Sequence, residues 1–149
     1  MNKYIRLKKA EIEETIFTIN AQPDLNVKNG KKDRVLFQGE FVRLQTLRLK
    51  TFAKYGTVCS DCGLAASYFA FEKNNSDIYY HLNLWGVNKN GKEVLFTHDH
   101  TIARGLGGGD NLHNTTTMCI DCNHKKSIVE SLLCRQMHMN KNQPEAKVQ

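Results

Sequence analysis

VLFTHDHTIARGLGGGDNLHNTTTMCIDCN, residues 94–123, decides how this chain of 149 residues is read. Val94-Leu95-Phe96 is branched and aromatic, the composition of a strand. The run ends on Thr97-His98-Asp99-His100, three metal-competent side chains in a row where a strand end that only packs needs none. Residues 103–114 hold four glycines and read as a loop. No Gly-Lys-Ser/Thr closes that loop, so it is not a phosphate-cradling P-loop. Thr115-Thr116-Thr117-Met118 is a short β-prone run, and Cys119-Ile120-Asp121-Cys122-Asn123 leads into a helix. The predicted order is strand, Asp-His, glycine loop, short strand, C-x-x-C, helix.

The second half of that stretch has a counterpart upstream. Of five cysteines, four form two C-x-x-C knuckles, VCSDCG (58–63) and MCIDCN (118–123). In a reducing compartment thiols stay reduced, so paired knuckles point to Cys59, Cys62, Cys119 and Cys122 as four thiolates around one structural Zn²⁺. The alternative, two separate redox pairs, lacks the βαβ context of a thioredoxin-like motif. The remaining residue, Cys134, is predicted to be a buried thiol beside Leu132, Leu133 and Met137. Residues 122–139 read as a helix that buries Ile128, Val129, Leu132 and Leu133.

A composition of 40% hydrophobic and 24% charged residues fits one globular domain with its own core. No apolar run is long enough to cross a bilayer. No apolar stretch follows the basic N-terminus as in a signal peptide, so the cytoplasm is the expected location, host cytoplasm if phage-encoded. The net charge of +6 lies entirely in residues 1–58, where twelve Lys and Arg face six Asp and Glu; residues 59–149 carry nine of each. That asymmetry suits a polyanionic partner and suits solubility equally. Residues 9–19 and 40–55 show helical periodicity. In the second, Phe41, Leu44, Leu47, Thr51 and Tyr55 share a face opposite Arg43, Lys50 and Lys54, the expected phosphate contacts. Residues 21–33 read as a loop or small hairpin. Residues 67–73 and 77–87 read as strands, with Asn90-Gly91 turning the second into the strand that ends on His100. The chain divides into a basic helical region (1–58), a core (59–139) and a disordered tail (140–149).

If zinc pins the helix start, Asn123 sits in the first helical turn across from Asp99. Two such oxygens are what a hydrated Mg²⁺ or similar cation takes from a protein. His100 has the pKa to accept a proton from water. In an ideal strand, however, Asp99 and His100 point to opposite faces while His98 and His100 share one, so the strand is expected to twist or stop there.

At these residues the sequence resembles the HNH endonucleases, or ββα-metal nucleases. The matching positions are Asp99-His100, Gly108-Gly109, Asn114, Cys119-x-x-Cys122-Asn123 and Lys126, within residues 59–128. The four-cysteine site followed by Asn is most similar to the phage endonuclease VII branch. The spacing from the first knuckle to Asp99 is longer here, so junction-resolving specificity does not carry over. The resemblance implies an α+β fold with a ββα-metal core, His100 as general base and Asp99 and Asn123 as catalytic-metal ligands. It also implies that Asn114 braces the loop behind His100. Asn123 replaces the final His of the family name, with His124 beside it as an alternative ligand, and His98 replaces the usual aliphatic residue. Arg104 and Lys125 are expected phosphate contacts. The expected activity is metal-dependent hydrolysis of phosphodiester bonds in DNA, double-stranded by expectation. The rival is a non-catalytic zinc-dependent nucleic-acid-binding module, which explains the knuckles but not Asp99-His100 together with Asn123.

Overall fold

Turn chemistry and strand propensity build the scaffold from the middle of the chain outward. The computed structural model describes residues 3–23 and 34–143. Its elements are β1 (Ile5–Ala10), α1 (Ile12–Asn20), β2 (Val35–Phe37), β3 (Glu40–Val42), α2 (Leu47–Tyr55), β4 (Ala66–Lys73), β5 (His81–Val87), β6 (Glu93–His100), β7 (Thr115–Cys119) and α3 (Ile120–Lys141). Five strands form one antiparallel sheet in the order β1-β4-β5-β6-β7, and β2-β3 is a separate hairpin. The turn between β5 and β6 is held by Asn88, whose Oδ1 accepts from the N–H groups of Asn90 (2.9 Å) and Lys92 (3.0 Å). Gly91 supplies the positive φ of +75° that the turn needs.

The core lies between the sheet and α1–α2. Phe52, Phe69, Phe71, Phe96, Leu44, Leu49, Leu82 and Leu84 are fully buried there. Thr46 caps α2, its Oγ1 accepting from Leu49 N at 3.2 Å, and Gly56 ends the helix at φ +91°. Thr51 bonds Thr115 across to β7 at 2.9 Å, fixing α2 against the strand that leads to Cys119. On the other side of β4 lies a buried carboxylate. Glu72 accepts from Arg6 Nε at 2.8 Å, Asn83 Nδ2 at 3.0 Å and Trp85 Nε1 at 2.7 Å. Each carboxylate oxygen is thereby answered, which a charge out of water requires.

Several sequence expectations are corrected. The region before residue 59 is helical only in part, because β1 joins the main sheet beside β4 and β2-β3 is a hairpin. The boundary at 58/59 runs through a shared core, since α2 packs its Leu49 and Phe52 with Phe69 and Phe96. The periodic segment 40–55 is a helix only from Leu47, so Arg43 lies outside it. Phe41 and Tyr55 of the expected face are exposed, whereas Leu44 and Thr51 are buried, and Leu49 and Phe52 join Thr51 on the buried side of α2. The loop expected at 21–33 and the tail at 140–149 fall mostly outside the described residues, and Asn140 and Lys141 belong to α3.

The largest correction concerns α3. It is a 22-residue helix, but Cys122 is its one buried residue among those described. Ile128, Val129, Leu132 and Leu133 are 51–59% exposed, not buried. Apolar residues occupy positions on several sides of this helix, so no single face carries it into the core. Cys134 is half-buried, and a Cβ on Gly105 would come within 3.1 Å of its sulfur. The glycine loop therefore lies against it.

Replacing Arg6 by Met leaves the Glu72 carboxylate buried without its cation. The expected loss is about 3 kcal/mol in urea unfolding, the lower end for a broken buried pair. The Arg6→Met/Glu72→Gln double variant should recover much of it; a double variant as unstable as the single would refute the charge argument.

Candidate metal centre and the Asp99–His100 strand end

The two knuckles meet. Residues 58–65 fold back on themselves through a Val58–Ala65 bridge and the bonds Cys59 N to Leu64 O (2.9 Å) and Gly63 N to Cys59 O (3.0 Å). Ser60 N then donates to Thr117 O at 2.9 Å, seating this knuckle against β7. Cys119 ends β7 and Cys122 lies in the first turn of α3. The four sulfurs lie within 4.8 Å of one another, and Cys62 Sγ is 3.9 Å from Cys119 Sγ. Tetrahedral zinc with Zn–S bonds of about 2.3 Å separates its sulfurs by about 3.8 Å, so four thiolates here suit a structural Zn²⁺. Burial opposes ionisation of Cys59, but the N–H groups of Cys119, Cys62 and Asp61 outweigh it and bring the thiol down to about 7. Burial, then the neighbouring thiols, push Cys122 up. A cation in the cluster removes that penalty, because a thiolate is what it binds.

Beyond the four-cysteine cluster, β6 sends alternate side chains to its two sides. Thr97 and Asp99 meet α3: Asn123 Nδ2 donates to Thr97 Oγ1 at 2.8 Å, and the Lys126 ammonium donates to Asp99 Oδ2. The same ammonium reaches His100 O at 2.7 Å. His98 and His100 lie on the other side with ring centroids 5.7 Å apart. The strand stops at His100, as expected, but up to that residue β6 stays paired with β7 through Asp99↔Thr116 and His100↔Thr115. Asp99 and His100 therefore keep opposite orientations, and Lys126 is what links them, one through its carboxylate and the other through its carbonyl.

His100 Nε2 lies 2.8 Å from Asp110 Oδ1. The hydrogen bond to His100 lowers the Asp110 pKa. An ionised carboxylate only accepts, so Nε2 carries the proton of this bond and Nδ1 is left as the basic nitrogen. Burial, then the charges of His100 and Arg48, hold the His98 pKa below its ordinary value.

The glycine loop is pinned from behind by Asn114. Its Oδ1 accepts from Ile102 N at 2.9 Å, and its Nδ2 donates to Ile102 O at 3.0 Å and Gly109 O at 2.8 Å. Asn111 Oδ1 in turn accepts from Asn114 N at 3.1 Å. Gly108 runs so close to this knot that a Cβ would come within 1.8 Å of Ile102 O, which explains the need for glycine there. The Asn114 side chain thus holds both ends of the loop that carries Asp110.

Asp99 and Asn123, the residues expected to hold a catalytic metal, come from β6 and α3 and each bonds across between them, Asn123 to Thr97 and Asp99 to Lys126. The Asp99 charge is meanwhile matched by Lys126, whose pKa is raised by Asp99 against the opposing effect of burial. Among the described residues the four cysteines are the one group of three or more His, Cys, Asp or Glu side chains close enough to hold a metal. Arg104 and Lys125 are exposed, on the glycine loop and on α3. Lys50 and Lys54 lie on α2; Lys54 Nζ is 3.5 Å from His113 Nδ1, and Tyr55 OH donates to Leu112 O at 3.0 Å, both at the end of the glycine loop. Arg43 is exposed between β3 and α2. Asp110, Thr97 and the bonds made by Lys126 escaped the sequence reading; Asp110 carried no signal beyond a carboxylate following glycines.

Comparison with family models, curated proteins and solved structures found no match. No helix among the described residues is long and apolar enough to cross a membrane.

Two outcomes are expected. Cys119→Ser should cost about 10 kcal/mol of zinc-coupled folding free energy and give unfolded protein. Folded wild-type protein that contains no zinc by atomic emission would sink the assignment. Separately, Asn114→Ala should speed hydrogen exchange at the Ile102 amide while leaving that of Phe96 unchanged; equal protection at Ile102 would show that the loop is held by something else.

Proposed function

We propose that the chain is a metal-dependent endonuclease that hydrolyses DNA phosphodiester bonds at the end of β6, with a structural zinc behind the site. One observation carries this reading: His100, with one ring nitrogen fixed by Asp110 at 2.8 Å, stands next in sequence to a carboxylate, Asp99, that faces Asn123 and Lys126 on α3. A histidine that only packs does not need its tautomer set by a carboxylate. The strand–loop–strand–helix order of β6, β7 and α3 also agrees with the resemblance to the HNH nucleases.

In this reading His100 Nδ1 takes the proton of an attacking water as its oxygen bonds to phosphorus and the P–O bond to the leaving sugar oxygen breaks. Asp110 stabilises the imidazolium that results, as second partners of catalytic histidines do. Asp99 and Asn123 would hold a hydrated divalent cation, which when bound supplies Lewis-acid stabilisation to the phosphate. Asn114 keeps the Asp110 loop in register. Lys54, Arg104 and Lys125 would bind neighbouring phosphates of double-stranded DNA, with Arg43 and Lys50 further along, and such contacts weaken steeply with salt.

The test is nicking of supercoiled plasmid by zinc-loaded protein in Mg²⁺ or Mn²⁺, with EDTA as control. His100→Ala should slow cleavage by about 10²–10⁴ while DNA binding persists. Asp99→Ala should also lose activity, with partial rescue by added Mn²⁺ that His100→Ala does not show. His98→Ala should lose less than His100→Ala. A wild type that binds DNA but cuts none with either metal would leave the non-catalytic zinc module as the function.

A further inference from the structure

We propose that Lys126 is an internal cation guarding the Asp99 position, so that a divalent ion binds only as the lysine moves off Asp99 toward Glu130. The inference rests on the proposed role of Asp99 as a cation ligand. Its basis is the set of partners around one ammonium. Lys126 Nζ donates to Asp99 Oδ2 and to His100 O, and it lies 3.4 Å from Glu130 Oε1, one helical turn further along α3. The Asp99 side chain is only 9% exposed, whereas Lys126 and Glu130 are 28% and 21% exposed. The lysine is therefore shared between a buried carboxylate on the strand and a more accessible one on its own helix.

Charge explains why the arrangement is exclusive. A nearly buried carboxylate is costly without a counter-charge, and Lys126 meets that need in the absence of metal. A divalent ion at the same oxygen meets it too, and the two cations repel when both are within a few ångströms. Glu130 gives the displaced ammonium a second anionic partner without any movement of α3, because residues four apart lie on one face of a helix. From there the ammonium remains beside the proposed phosphate position. Without Glu130 the displacement would leave Lys126 with His100 O alone.

Two consequences separate this from a purely structural ion pair. Removing the competing ammonium should strengthen metal binding at Asp99. Removing the second partner should weaken it.

The experiment is calorimetric titration of zinc-loaded, full-length protein with Mn²⁺, with zinc content and circular dichroism checked for each variant. Lys126→Gln should bind Mn²⁺ about tenfold more tightly than wild type, equivalent to about 1.4 kcal/mol. Glu130→Gln should bind it several-fold more weakly, and Asp99→Asn should abolish the site in every background. Glu130 is partly exposed and pairs only through Lys126 among the bonds described, so that variant tests the idea even if Lys126→Gln fails to fold. Affinities for Lys126→Gln and Glu130→Gln that both match wild type would overturn the proposal. Because the readout is binding, a protein that cuts nothing but shows these shifts would remove the nuclease reading and leave the Lys126 guard standing.

Discussion

The whole arrangement depends on four sulfurs held within 4.8 Å of one another at the junction of β7 and α3. Most helices are kept in place by an apolar stripe buried against a core. The third helix is not: over its 22 residues Cys122 is the one buried position among those described. Its start is set by Cys119 and Cys122, and its first two turns are tied to β6 by Asn123 on Thr97 and Lys126 on Asp99. A metal-bound thiolate cluster is directional and strong, so it can orient a helix that the hydrophobic effect alone would leave loosely attached. The proposed site inherits its geometry from that anchor.

The same economy governs the polar groups of the sheet. Where a carboxylate is taken out of water, cations and N–H donors answer it: Glu72 by Arg6, Asn83 and Trp85, and Asp99 by Lys126. The two differ in kind. Glu72 has both oxygens met by three groups from the two neighbouring strands, β1 and β5, so its network is complete. Asp99 is met by one lysine, which is itself within reach of Glu130. A carboxylate met by one partner has fewer bonds to give up than Glu72, which is why the proposed cation position falls on Asp99.

Strand alternation decides the chemistry at the end of β6. Adjacent residues of an extended strand face opposite ways, so the Asp99 side chain and the His100 ring cannot both point at α3 while β6 remains paired with β7. The molecule keeps the pairing and connects the two through the Lys126 ammonium and the backbone carbonyl of His100. The Asn114 knot then returns the glycine loop so that Asp110 meets His100 from the other side.

By itself the sequence determined what short-range chemistry dictates. The Asn-Gly turn, the aromatic strands and the C-x-x-C spacings each act over a few residues, and they appear as β4, β5, β6 and a four-cysteine cluster. Tertiary structure decided what depends on distant partners. Ile5–Ala10 is alternating basic and apolar, a pattern that becomes a strand only because β4 offers an unpaired edge. Phe41 and Tyr55 looked like core from their spacing, yet the helix begins six residues after Phe41, which turns a different face inward. Ile128, Val129, Leu132 and Leu133 have a composition suited to burial, but hydrophobicity states a preference and not a partner, and on α3 they stay exposed. Likewise Asp110 and Lys126 are ordinary charged residues in the sequence; they acquire their places beside His100 and Asp99 only when the loop closes and the four-cysteine cluster sets the start of the helix.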